Sequence, residues 1–345
     1  MESTVFVGAL AAGTRGLFRR TPGQTEWECI GNGLPERARV YCILVEGDDP
    51  QKLLIGTQYG VFRSRDGGDS WSDLGVPADE RPILSLVVHP KDPNTIYAGS
   101  DYTAIFKTTD GGETWRRLNT VQPAGAITGC FPVRVLKMAI DPSNPEEIYG
   151  ALEVGGVIRS LDGGETWEDI SQGILELSEE PHLRNCILSD DLTEGMMDLH
   201  ALAVSAEQPG TVWIANRMGL FVSNDRGDHW KEFGINRFSK LTYGRDIMVS
   251  PHDAKVFVAA LSDSSRGVKG SVYCSSDTGE TWQQLDHDIS IDSTVMSVAV
   301  SGRDPKRVFC AARLGQVFGT EDGGKTWNAL PLPEGVQDVR AVACS

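Results

Sequence analysis

Apolar residues along this chain fall into short runs, broken every few positions by Gly, Pro, Asp or Asn. Pro82 to Val88 is one such run, Thr95 to Gly99 a second and Ala104 to Thr108 a third, separated by His89-Pro90-Lys91-Asp92-Pro93 and by Ser100 to Thr103. Runs this short, bounded by turn formers, predict β-strands. The third run leads into Thr108-Thr109-Asp110-Gly111-Gly112-Glu113-Thr114-Trp115, and a fourth short strand is expected from that Trp. The same succession recurs in Val40 to Leu74, Val133 to Ile170, Leu199 to Phe233, Arg245 to Leu285 and Val295 to Leu330.

The phrase Ser/Thr-x-Asp-x-Gly-x-x-Trp occurs six times, ending at Trp71, Trp115, Trp167, Trp230, Trp282 and Trp327. A seventh copy at Thr21 to Trp27 keeps the Trp and has lost the Asp. The Ser/Thr hydroxyl and the Asp carboxylate hydrogen-bond the amides of their own turn, Gly supplies positive φ, and Trp anchors the turn in the neighbouring sheet. The tryptophans stand about 50 residues apart, so seven units account for all 345 residues and leave no second domain.

Four short antiparallel strands per unit are what a propeller blade requires. At the ends, Thr4 to Ala9, Leu17 to Arg20 and Trp27 to Ile30 supply three strands, and Val339 to Cys344 supplies the missing inner one. The expected fold is all-β: a single seven-bladed ring over 1–345, closed by a blade shared between the two ends. Closure removes the open sheet edges that invite aggregation. The repeated phrase resembles the Asp-box, or BNR, repeat of sialidases, xyloglucanase-type glycosidases, sortilin-type receptors and photosystem II assembly factors. That resemblance spans essentially the whole chain at the level of the repeat. It implies a β-propeller in which the boxes are scaffold.

Composition narrows the partners. With 48 acidic and 32 basic residues the net charge is −16, which repels phosphate backbones and anionic membrane surfaces, so nucleic acid and membrane are not expected partners. No apolar run approaches a membrane span, and Met1 to Ala9 lacks the features of a secretory signal. Seven cysteines, with no C-x-x-C pair, read as reduced and mostly buried thiols of a cytosolic protein.

The boxes lie between strands three and four of each unit, on the same face as the turn between strands one and two. Loops between strands two and three and links between blades share the opposite face, where a ligand is to be sought. Three insertions fall there: Ser171 to Asp198 as a candidate lid, Leu261 to Gly270, and Thr120 to Phe131. Basic residues lead into the inner strands of this acidic protein: Arg37, Arg39, Arg81, Arg134, Lys137, Arg245 and Arg340. Arg39, Arg134, Arg245, Arg340, Arg217 and Tyr102 are the candidate ligand-binding set, because several guanidinium groups at one tunnel mouth suit a carboxylate, sulfate or phosphate. The alternative is that these arginines pair with neighbouring acids around a solvated pore.

His200, Tyr243, Asp198 and Glu153 are the candidate catalytic groups, able to move a proton beside a bound anion. Asp198-x-His200 supplies at most two metal ligands, with His182 or an acid of the insertion as a third, and no further spacing supports a metal, so no cofactor is expected. A glycosidase needs two carboxyl groups flanking a bond, and several acids qualify. The resemblance to sialidases implies an arginine cluster, a Tyr nucleophile and a Phe-Arg-Ile-Pro motif on six blades; the motif is absent and seven blades are counted. Xyloglucanase-type enzymes pair two propellers around a cleft, and this chain has length for one. Gly323-Gly324-Lys325-Thr326 belongs to a box and is not a phosphate loop. Two readings remain: a hydrolase or lyase for a small anionic or sugar-like substrate, and a non-catalytic platform for a protein or peptide.

Overall fold

The computed structural model describes residues 3–11, 15–77, 82–127, 132–187 and 189–345. It contains seven four-stranded antiparallel sheets. Blades 1 to 6 begin with the inner strands Val40–Val45, Ile83–His89, Arg134–Ile140, Leu199–Val204, Tyr243–Val249 and Val295–Val300. In blade 7 the inner strand is Gln337–Cys344, followed by Val5–Ala11, Leu17–Arg20 and Glu28–Cys29. Inner strands of successive blades pack against one another around the ring, and Gln337–Cys344 closes it against Val40–Val45. The expected architecture and its closure are therefore what forms.

Two details differ from the expected strands. The fourth strand of every blade is only two residues long, as at Arg116–Arg117. In blade 2 His89 pairs with Asp92, so Pro90 and Lys91 alone make the turn that the sequence spreads over five residues. Asp92 holds this tight hairpin by accepting hydrogen bonds from the Asn94 amide at 3.1 Å and the Thr95 hydroxyl at 2.6 Å.

The boxes work as their chemistry predicts. The Ser64 hydroxyl donates to Asp66 Oδ1 at 2.8 Å and accepts from the Gly68 amide at 2.8 Å. Asp66 also accepts from the amide and hydroxyl of Ser70, at 2.9 and 2.5 Å, and these bonds hold its carboxyl down at about 2. Thr114, Thr166, His229, Thr281 and Thr326 take the place of Ser70 in the other copies. The glycine at the fifth position is doubly required. At Gly68 φ is +98°, and a Cβ there would stand 2.4 Å from Ile30 Cδ1, the apolar residue ending the preceding blade. Trp71, buried in the same cluster as Ile30, locks that joint. Replacing Asp66 by Ala is expected to lower stability by about 1 kcal/mol in urea unfolding while leaving the tunnel untouched, because turn hydrogen bonds alone are lost.

The insertion at 171–198 forms short helices, Gln172–Leu177 and Glu194–Met197, that pack on each other. Ile174, Leu183, Met196 and Met197 are buried against Tyr149 and Trp230, so the segment wedges between blades 3 and 4. Six cysteines are described: Cys310 and Cys344 are buried as expected, whereas Cys29 and Cys186 are exposed. Exposure follows from position, since Cys29 sits on a two-residue outer strand and Cys186 in the insertion. Among the described residues, no helix is long and apolar enough to cross a membrane.

Candidate functional site

Each inner strand enters the ring from the face opposite the boxes, and each carries the same irregularity one to three residues in. Its pairing with the second strand skips one residue: Tyr41, Leu84, Leu136, His200, Arg245, Met296 and Arg340 in blades 1 to 7. Such a bulge releases a residue from the ladder and re-aims its side chain. All seven bulged residues line one central cavity of about 640 Å³. The next residue rejoins the ladder opposite a small one, Gly56, Gly99, Ala151, Ala215, Ala260, Ala311 or Gly8. Room is scarce there: a Cβ on Gly56 would lie 2.5 Å from the Ile83 carbonyl oxygen.

The four candidate tunnel arginines separate. Arg134 bridges Glu153 at 3.0 Å and Asp101 at 3.4 Å. Arg245 and Arg340 also line the cavity, and among the described residues neither guanidinium has an acid within 4 Å or a hydrogen bond, although the Nε of each is buried. Burial first, and then the neighbouring Arg245 charge, hold Arg340 below the ordinary arginine range, with Asp338 and Glu153 acting in the opposite sense. Arg39 stands just before the strand, exposed, with its amide donating to Gln58 Oε1 at 2.7 Å. It does not join the cavity, and Arg81 lies outside the described residues. Arg217 and Tyr102 are also off the cavity lining: Arg217 Nε binds Asp198 Oδ2 at 3.0 Å, and Tyr102 projects from its loop, 58% exposed.

Asp198, His200 and Tyr243 do meet, as a closed set. His200 Nδ1 donates to the Gly244 carbonyl at 2.7 Å, which leaves Nε2 facing the Tyr243 hydroxyl at 3.1 Å and Asp198 Oδ2 at 3.3 Å. Burial works to raise the Asp198 carboxyl, but His200 and Arg217 outweigh it and pull it down to about 2. Burial likewise pushes the Tyr243 hydroxyl up to about 12, so it is a donor at neutral pH. His182 is paired with Glu232 at 3.0 Å on the outer strand of blade 4, away from Asp198 and His200. Among the described residues no group of three His, Cys, Asp or Glu is placed to hold a metal ion.

Below the bulged ring Lys137 reaches Asp246 at 3.4 Å, joining blade 3 to blade 5 across the tunnel. Asp246 is fixed by the amides of Ile247 and Val298 at 3.0 and 3.1 Å. None of the described residues of the 171–198 insertion lines the cavity. Further along the inner strands Ile43, Leu86, Met248 and Val342 also line the cavity.

The bulge ring escaped sequence reading because Leu84, Leu136 and Met296 carry no chemistry of their own. The recurring small residue in each second strand was the available signal.

Residues 59–174 match the family described as Sortilin-Vps10, "Sortilin, neurotensin receptor 3". No curated protein sequence matches the chain. A GH74 xyloglucanase from Xanthomonas campestris is similar in structure at a TM-score of 0.65 and 16% identity, over 87% of this chain and 46% of that one. The chain thus spans less than half the length of that enzyme. YCF48 from Cyanidioschyzon merolae matches at a TM-score of 0.58 and 15% identity over 88% of both chains. A YCF48 structure with a bound D1 peptide matches at 0.55 and 16%, over 89% of this chain and 85% of that one. These likenesses bear out the fold that the boxes imply: the chain is a seven-bladed β-propeller similar to those of the sortilin, xyloglucanase and YCF48 groups.

Proposed function

We propose that this propeller binds a small anionic ligand in its central cavity, at the mouth opposite the Asp-boxes. The observation carrying this reading is the pair Arg245 and Arg340, two half-buried cations without an acid within 4 Å among the described residues. Guanidinium groups withdrawn from water and left without a counter-ion are costly, and an incoming carboxylate, sulfate or phosphate relieves that cost. Binding is better supported than turnover. Both ring nitrogens of His200 already have protein partners, Asp198 is held by Arg217, and Glu153 by Arg134, so each candidate proton carrier is engaged. Surface thiols at Cys29 and Cys186 suit a reducing, cytosolic setting.

Titration calorimetry with small carboxylates, sulfate and phosphate tests the reading. Wild type is expected to bind at least one of them, and Arg245→Ala to weaken it by about 2–5 kcal/mol, with Lys restoring only part because it lacks the planar fork. If no anion binds wild type, the proposal is wrong.

A protein-binding reading has its own observation. Of the six large, exposed apolar side chains among the described residues, four, Tyr59, Tyr102, Val268 and Leu314, sit in loops between strands two and three, around the same mouth; Leu161 lies in a box and Leu192 in the 171–198 insertion. YCF48, a structural neighbour, has been seen with a peptide. Loss of a protein partner in a Tyr59→Ser, Tyr102→Ser variant that still binds the small anion would assign the rim to that role.

A further inference from the structure

The bulged ring is chemically lopsided. Its members follow blade order, so Arg245, Met296 and Arg340 occupy the consecutive blades 5, 6 and 7. In a seven-membered ring the positions facing blade 6 are blades 2 and 3, which carry Leu84 and Leu136. Tyr41 in blade 1 and His200 in blade 4 stand between the two arcs. One layer of the tunnel thus sets two guanidinium groups, without an acid within 4 Å among the described residues, across from two leucines. The Lys137–Asp246 pair crosses beneath this layer with its charges matched, and at its entrance Arg134 is shared between Glu153 and Asp101, which leaves that entrance net negative.

We infer, resting on the anion-binding reading above, that the ligand is a compact amphipathic monocarboxylate, with its carboxylate between Arg245 and Arg340 and an apolar body of ring or branched-chain size against Leu84 and Leu136. Sulfate or phosphate would satisfy the arginines and leave the leucine arc wet. A long extended tail would have to displace the Lys137–Asp246 pair. A carboxylate with a single apolar group uses both arcs within one layer, and the cavity of about 640 Å³ falls in the range of small-molecule sites. Glu153 opposes a second negative charge near the entrance, which favours a monoanion over a dianion. The flanking Tyr41 ring and the buried His200 edge bound the body on either side.

Calorimetric titration of wild type with acetate, phenylacetate, phenylacetamide and sulfate separates the possibilities. Phenylacetate is expected to bind at least tenfold more tightly than acetate and sulfate, and phenylacetamide not measurably. Leu136→Gln, at a half-buried position that tolerates a polar group of similar size, is expected to bring phenylacetate to within about twofold of acetate measured on the same variant. The wild-type comparison stands even if that variant fails to fold. Acetate or sulfate equal to phenylacetate overturns the amphipathic ligand and leaves anion binding intact. Phenylacetamide binding as well as phenylacetate overturns the role of the arginines. No binding of any anion removes both readings.

Discussion

Removing Gln337 to Ser345 is expected to abolish the cooperative thermal unfolding transition at its full-length temperature and to leave an aggregation-prone chain. This segment is the inner strand of blade 7, paired with Val5–Ala11, and it packs against the inner strands of blades 1 and 6. Val339 is fully buried and Val342 and Cys344 nearly so, in a cluster with Val5, Val7 and Phe309. Losing these side chains and uncovering their neighbours costs on the order of 5 kcal/mol, comparable with the whole stability of many domains. The deletion also frees one edge of Val5–Ala11, an apolar strand with unpaired amides and carbonyls. A synthetic peptide of residues 335–345 is expected to restore the transition when added to the truncated protein. An unchanged melting temperature in the truncated chain would show that the ring does not depend on this closure.

Asp198→Ala has the second-largest expected effect, a loss of about 3–5 kcal/mol in urea unfolding at pH 7. The carboxylate is buried, and its removal strands Arg217 and takes the charge away from His200 Nε2. Asn should cost less, since it keeps the volume and one acceptor. The loss should also depend on pH. The folded carboxyl sits at about 2, below the roughly 3.9 of an unfolded aspartate, so its contribution is complete above about pH 4 and disappears as pH falls through about 2. The gap between wild type and Asp198→Ala should therefore narrow between pH 4 and pH 2. A constant gap across that window would mean the residue acts through packing alone.

Much of this molecule was legible in advance. Six boxes with Asp, Gly and Trp at fixed offsets are local chemistry: the turn closes on its own side chains, so the sequence states it directly. The shared blade was legible because three strands at one end and one at the other leave a single way to complete a sheet. Asp198, His200 and Tyr243 stand at the starts of adjacent inner strands in blades 4 and 5, and their closed hydrogen bonding was not visible in the sequence. That depends on which atoms of His200 meet Gly244 and Tyr243 across a blade boundary.

The arginines show where sequence stops. Arg39, Arg134, Arg245 and Arg340 look alike in one dimension, each leading into an inner strand of an acidic protein. The fold gives Arg39 to solvent, Arg134 to Glu153 and Asp101, and Arg245 with Arg340 to the cavity. A bulge is a mismatch between two strands, not a property of one, so the register that re-aims Arg245 and Arg340 exists only when their sheets pair. Turn chemistry and apolar spacing were enough to determine the blades and the ring. The tertiary structure alone decided which side chains face its axis, because a shift of one residue in pairing changes the direction in which a strand residue points.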